Sequence, residues 1–133
     1  SVNSSRVSSL SATITKADLN TGTGTNKSSS NKAKKDAGCS DVDAGHLLAK
    51  KLGGSGGVNG TFAQNRKLNR GRYRVFEGQI AKAVINTGSA KININFVYKD
   101  KDTLVPRAII YSYVDGNGKK HSQTFFNSCC GKV

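Results

Sequence analysis

An α+β fold is predicted for this chain of 133 residues, and three patterns predict it. Phe76, Ile80 and Val84 recur every four residues, with Val75 and Ala83 widening the stripe, as on the buried side of a helix over residues 68–86. Ile92, Ile94, Phe96 and Tyr98 then alternate with Lys91, Asn93 and Asn95, the period of a half-buried strand. Finally, residues 107–114 and 119–126 flank Asp115-Gly116-Asn117-Gly118, the composition of a tight hairpin turn. A helix followed by three strands on short connections gives an antiparallel three-stranded meander.

The other elements follow in chain order within a single expected domain, residues 1–133. Residues 1–9 are Ser-rich and expected to be frayed. Leu10, Ala12 and Ile14 alternate with Ser11, Thr13 and Thr15, a short strand. Residues 20–35 carry Ala33 as their only apolar side chain, so burial cannot offset the entropy of ordering them, and a mobile basic loop is expected. Gly53-Gly54-Ser55-Gly56-Gly57 reads as a flexible connection. No Gly-Lys-Ser/Thr follows it, so it lacks the spacing of a phosphate-gripping loop. Asn69 fits as N-cap of the long helix and Asn86-Thr87-Gly88 as its stop.

Charge narrows the choice of partner. Lys and Arg number 21 against 8 Asp and Glu, for a formal charge of +13. Such a chain is drawn to polyanions by counterion release whether or not it reads sequence. No apolar run approaches the ~20 residues of a membrane-spanning helix. The chain begins at Ser1 and lacks Met, as expected of a processed segment. Cysteines at 39, 129 and 130 allow one bridge, Cys39 to Cys129 or to Cys130, with one thiol left over. Three free thiols in a reducing cell is the other reading. Together with sequons at Asn3, Asn26 and Asn59, the bridge favours secretion.

Chemistry concentrates in Asp43-Ala44-Gly45-His46, Gln64-Asn65-Arg66-Lys67-Leu68-Asn69-Arg70-Gly71 and Glu77. Hydrolysis of a phosphodiester needs a base for water, neutralisation of the phosphoryl oxygens and stabilisation of the departing oxygen. An imidazole suits the first task. A divalent cation suits the others, and Mg²⁺, which keeps most of its waters, can be held by one neutral oxygen donor. His46 and Asn69 supply base and donor, and Glu77 a carboxylate for the ion's waters. Glu77 also reads as a helix-face partner of Arg74. No Cys/His cluster suggests zinc and no Ser-His-Asp spacing suggests a triad. His121, in a hairpin strand without partners, reads as filler.

These residues carry a resemblance. Asp-x-Gly-His, then Gln-x-x-x-Leu-Asn-x-Gly, then Glu eight residues after that Asn, resembles the DNA/RNA non-specific endonucleases, which are ββα-metal (His-Me finger) enzymes. The likeness covers residues 39–86, and the meander downstream resembles short members, including toxin nuclease domains. It implies a ββα-metal core with His46 as general base, Asn69 as metal ligand and Glu77 ordering the metal's waters. By the same resemblance Asp43 braces the loop and Gln64 is structural or a partner behind the site. The implied cofactor is Mg²⁺, with Mn²⁺ or another divalent cation as substitute. DNA, and RNA as a further substrate, are the implied partners, with an immunity or inhibitor protein for a toxin; a monomer is expected. Two departures stand out. Ala44 occupies a position where Arg is common, and the family's upstream phosphate-binding arginine has no counterpart except Arg6, in a segment expected to be loose. Arg70, Arg72, Arg74, Lys50 and Lys51 are the candidates for that role. The rival reading is a basic nucleic-acid-binding or antimicrobial protein without chemistry.

Overall fold

A computed structural model describes residues 6–130. The N-terminal strand β1 (Ser9–Thr15), the long strand β4 (Ser89–Val97) and the hairpin of β5 (Ala108–Asp115) and β6 (Lys120–Phe126) form one antiparallel sheet, ordered β1-β4-β5-β6. The predicted meander is therefore present and gains a fourth strand. Ala12 stands opposite Ile92 and Leu10 opposite Ile94, a long-range pairing that alternation alone does not specify. A second, two-stranded sheet pairs β2 (Val42–His46) with β3 (Thr61–Asn65).

The expected basic loop is corrected in part: residues 27–37 form a helix, α1 (Lys27–Ala37). Local chemistry compensates for its weak apolar content. The Asn26 side chain accepts from the Ser29 amide and the Ser29 hydroxyl from the Asn26 amide, each at 2.9 Å, a reciprocal cap. Ala33 is buried in a small cluster with Val42, Ala44 and Ala63, so one methyl docks the helix on the hairpin. Gly38, at φ +75°, ends it in the left-handed conformation that suits glycine.

The long helix is also corrected. It divides at Gly71 into α2 (Arg66–Arg70) and α3 (Arg72–Thr87). Gly71 adopts φ −116°, ψ −113°, where a Cβ would press on the Lys67 carbonyl. The cap is Asn65, whose side chain accepts from the Leu68 amide at 2.9 Å; Asn69 lies inside α2. The predicted stop holds at Gly88, φ +94°.

The stripe of α3 lies on the sheet. Phe76 meets Tyr111, Tyr113 and Phe125 edge-on at centroid distances of 5.0–5.6 Å, and Tyr73 packs on Tyr111 and Phe125. Tyr73 is thus a core residue, 1% exposed. The N-terminal segment is firmer than expected from residue 6 onward. The Arg6 guanidinium donates to the carbonyls of Asp100 and Thr103 and lies over the Tyr98 ring at 4.1 Å. The remainder of the frayed stretch, and the sequon at Asn3, lie outside the described residues. The bridge joins Cys39 to Cys130 and leaves Cys129 as a buried thiol.

Candidate active site

The β2–β3 hairpin, α2 and the first turns of α3 build a cleft of about 200 Å³ lined by His46, Ala49, Lys50, Lys51, Asn69, Arg70, Arg74 and Glu77. His46 ends β2, opposite Thr61. Its Nε2 lies 2.8 Å from the Thr23 carbonyl oxygen. A carbonyl can only accept, so Nε2 carries a proton, and in the neutral ring the lone pair is then on Nδ1, the tautomer a general base requires.

Thr23 is placed by a strap that the sequence did not suggest. The Asn20 and Gly22 amides donate to the Lys51 and Lys50 carbonyls at 2.9 and 3.2 Å, and the Thr23 amide to Gly54 at 3.0 Å. The Gly56 amide closes the strap on the Thr23 hydroxyl at 3.1 Å. Side chains at Gly54 or Gly56 would collide with the Leu48 or Gly24 backbone. The glycine run is consequently a zipped connection rather than a flexible one.

Asp43 organises the opposite wall. One carboxylate oxygen accepts from Arg66 Nε at 3.1 Å and Arg70 Nη2 at 3.0 Å; the other accepts from Arg70 Nε and Asn69 Nδ2, both at 2.9 Å. Burial alone would raise this carboxyl, but the hydrogen bonds from Arg70, Asn69 and Arg66 outweigh it and hold it below the usual carboxylate range. Because the carboxylate must receive a donor, the Asn69 amide nitrogen faces Asp43. Its carbonyl oxygen then remains available to a cation.

Glu77 is 8% exposed, and no hydrogen bond or ion pair reaches its carboxylate among the described residues. Burial raises it to about 7, against the pull of Lys51 and Arg74. A buried carboxylate and an amide oxygen that receive no donor among the described residues line one cleft, a pair that would suit a hydrated divalent cation, the carboxylate accepting from the ion's waters and the amide oxygen serving as a ligand.

The remaining predicted residues divide. Lys50, Lys51, Arg70 and Arg74 line the cleft. Arg72 does not; its guanidinium lies 5.7 Å from the Phe125 ring centroid, in a separate cleft with Lys67, Leu68 and Phe126. Gln64 is fully buried behind the cleft, where a Cβ on Gly45 would overlap its side chain, so Gly45 and Gln64 are sterically paired. A larger cavity, about 370 Å³, lies beside Cys129 and contains no predicted catalytic residue. Sequence reasoning missed Thr23, Arg66 and the capping role of Asn65. Thr23 acts through its backbone and carries no side-chain signal. Arg66 sits inside the motif and could have been proposed as a partner for Asp43 on charge alone.

Known proteins share the family and the fold of this chain. The family model for DNA/RNA non-specific endonucleases matches residues 3–117. The probable deoxyribonuclease RhsA of Dickeya dadantii (strain 3937) is 41% identical over 120 residues, 90% of this chain but 8% of the relative. The chain therefore spans a small fraction of the length of the curated relative it matches. Among solved structures, NucA from Streptococcus agalactiae with magnesium ion bound superposes with a TM-score of 0.72 at 17% identity, covering 96% of this chain and 70% of that one. Sda1 nuclease with bound zinc ion gives 0.60 at 22% identity, covering 68% and 40%. The structural likenesses concern the fold, an α+β architecture with a ββα core.

Proposed function

Since the chain belongs to the DNA/RNA non-specific endonuclease family, we propose that it hydrolyses phosphodiester bonds of DNA, and of RNA, with a divalent cation and little sequence preference. The observation that carries this reading is the convergence of His46, Asn69 and Glu77 with four cationic side chains on one cleft. His46 accepts a proton from the attacking water at Nδ1, while the Thr23 carbonyl holds the ring and stabilises the imidazolium that forms. Lys50, Lys51, Arg70 and Arg74 receive the phosphate backbone, which makes affinity a matter of charge and salt rather than of base identity. The Asn69 carbonyl oxygen is the protein ligand for the cation, and Glu77 holds the ion's waters. When bound, the ion neutralises charge on the phosphoryl oxygens and stabilises the departing oxygen.

Mg²⁺ is the proposed ion; the NucA structure contains magnesium and the Sda1 structure zinc. DNA is the favoured substrate because the relative at 41% identity is described as a deoxyribonuclease. The Cys39–Cys130 bridge supports action in an oxidising compartment, as a secreted nuclease or as the toxin module of a longer protein. A toxin module would require an acidic inhibitor suited to a surface of charge +13.

The test is plasmid cleavage by wild type and His46→Ala, with Mg²⁺ and with EDTA. The expected result is degradation by wild type alone, abolished by EDTA. Intact but retarded plasmid under every divalent ion would replace this reading with that of a basic binding protein.

A further inference from the structure

The metal-holding helix α2 is five residues long, too short to be stable by itself, so something outside it must fix its position. Asp43 holds one side of it through Arg66, Asn69 and Arg70, and two carboxamides hold its start. Asn127, the residue that follows β6, is 3% exposed and satisfied on every side. Its Nδ2 donates to the Ala63 carbonyl at 3.1 Å and the Pro106 carbonyl at 2.8 Å, and its Oδ1 accepts from the Asn65 amide at 2.7 Å. Its own amide donates to the Arg107 carbonyl at 2.8 Å. Asn65 returns the contact. Its Nδ2 donates to the Ser128 carbonyl at 2.6 Å, while its Oδ1 caps α2 at the Leu68 amide. Two residues beyond Ser128, Cys130 is bonded to Cys39, just ahead of the strand that carries Asp43 and His46.

We infer that residues 127–130 form a C-terminal clamp whose task is to position Asn69 for the cation. Asn127 and Asn65 are positioning residues and Cys39–Cys130 is the covalent anchor. Asn69 reaches the cleft from a single turn of helix, and besides Asp43 that turn is held at its start by its cap, which is bonded to the chain that follows β6, and by Leu68 in the main core. A rotation of α2 about its cap would carry Asn69 away from Asp43 and from Glu77 together. The inference rests on the reading of Asn69 as the metal ligand.

Asn65→Ser and Asn65→Asp separate this role from plain helix capping. Serine and aspartate are both good N-caps, but neither can donate to Ser128 as the carboxamide does. In both variants the Mg²⁺ concentration for half-maximal cleavage is expected to rise about 10-fold, as for loss of a group that orients a metal ligand, with kcat recovered at saturating ion. Hydrogen exchange at the Leu68, Asn69 and Arg70 amides should accelerate while that of β4 and β5 is unchanged. An unchanged Mg²⁺ requirement, or a fall in kcat that saturating ion does not restore, overturns the clamp. So does unchanged exchange at residues 68–70, a readout that does not depend on turnover. A wild type that cleaves nothing with any divalent ion would instead overturn the assignment of Asn69.

Discussion

The two halves of this molecule are held together by different forces. The four-stranded sheet and α3 enclose a core of Tyr73, Phe76, Ile80, Ile94, Tyr111 and Phe125, each 3% exposed or less, in which apolar burial and ring contacts dominate. The hairpin of β2 and β3 with α1 meets that core through Phe62, whose ring lies edge-on to Phe96 at 5.2 Å, and otherwise has a satellite cluster of Ala33, Val42, Ala44, Ala63 and Cys129. Its place is fixed by polar pins, the Asp43 network and the Asn127–Asn65 exchange, and by one disulfide. The half that folds on hydrophobicity contributes Glu77 and Arg74 to the cleft from α3, whereas the hairpin that carries Asp43 and His46 is positioned mainly by directional bonds. This division suits a site for a hydrated ion and a polyanion, because hydrogen bonds fix the orientation of ligands and apolar contacts do not.

The contrast can be broken from either side. Phe76→Ala removes the centre of the aromatic core and is expected to cost about 3–5 kcal/mol, lowering the cooperative thermal transition of the whole chain. Opening the Cys39–Cys130 bridge, by reduction or as a double Cys→Ser variant, releases a loop with a sequence separation of 91. Its expected cost is about 2–5 kcal/mol; hydrogen exchange should show β2, β3 and α2 opening before the sheet, whereas simultaneous opening would deny the two halves their independence.

Smaller effects sharpen it. Asp43→Ala removes the acceptor that Arg70 and Asn69 share and leaves Arg66 to the Ser40 and Val42 carbonyls. An increase of about 10–100-fold in the Mg²⁺ requirement is expected, with circular dichroism unchanged. Glu77 gives a pH-dependent effect. Its carboxyl is raised to about 7 in the folded chain, from an ordinary 4.5. The folded state therefore binds this proton more tightly than the unfolded state. The stability that results is complete below the ordinary value and is lost as pH rises towards 7. Above that, without a cation, the ionised carboxylate costs up to about 3 kcal/mol. Glu77→Gln should raise the melting temperature in EDTA at pH 8 and leave it unchanged at pH 4. Added Mg²⁺ should narrow the difference at pH 8 by stabilising the wild type alone; equal melting curves at both pH values would contradict the burial argument.

The sequence disclosed the apolar half more fully than the polar one. The stripe of Phe76, Ile80 and Val84, the alternation of Ile92, Ile94 and Phe96, and the Asp115–Gly118 turn are each written in local periodicity, and each is found. The pairing of β1 with β4 was not legible, because a register between distant segments leaves no local trace. Helix α1 was hidden by composition: its lone Ala33 supplies little burial, and the Asn26–Ser29 reciprocal cap is a weak signal against so many polar residues. In the site, His46, Asn69 and Glu77 were named from one motif, and the cleft gathers them. The Thr23 carbonyl and the Asn127 carboxamide belong to segments without motif character and become meaningful only through distance.

The leftover cysteine has a consequence for how the protein comes to its final covalent form. Cys129 adjoins the bonded Cys130 and could compete for Cys39, a swap that would shift the tail by one residue and displace Asn127 from its four partners. Exchange requires a thiolate, and burial pushes this thiol up to about 11. At neutral pH that keeps nearly all of it in the unreactive thiol form. Once the tail has docked, burial of Cys129 therefore works against its attack on the neighbouring bridge and in favour of the Cys39–Cys130 pairing.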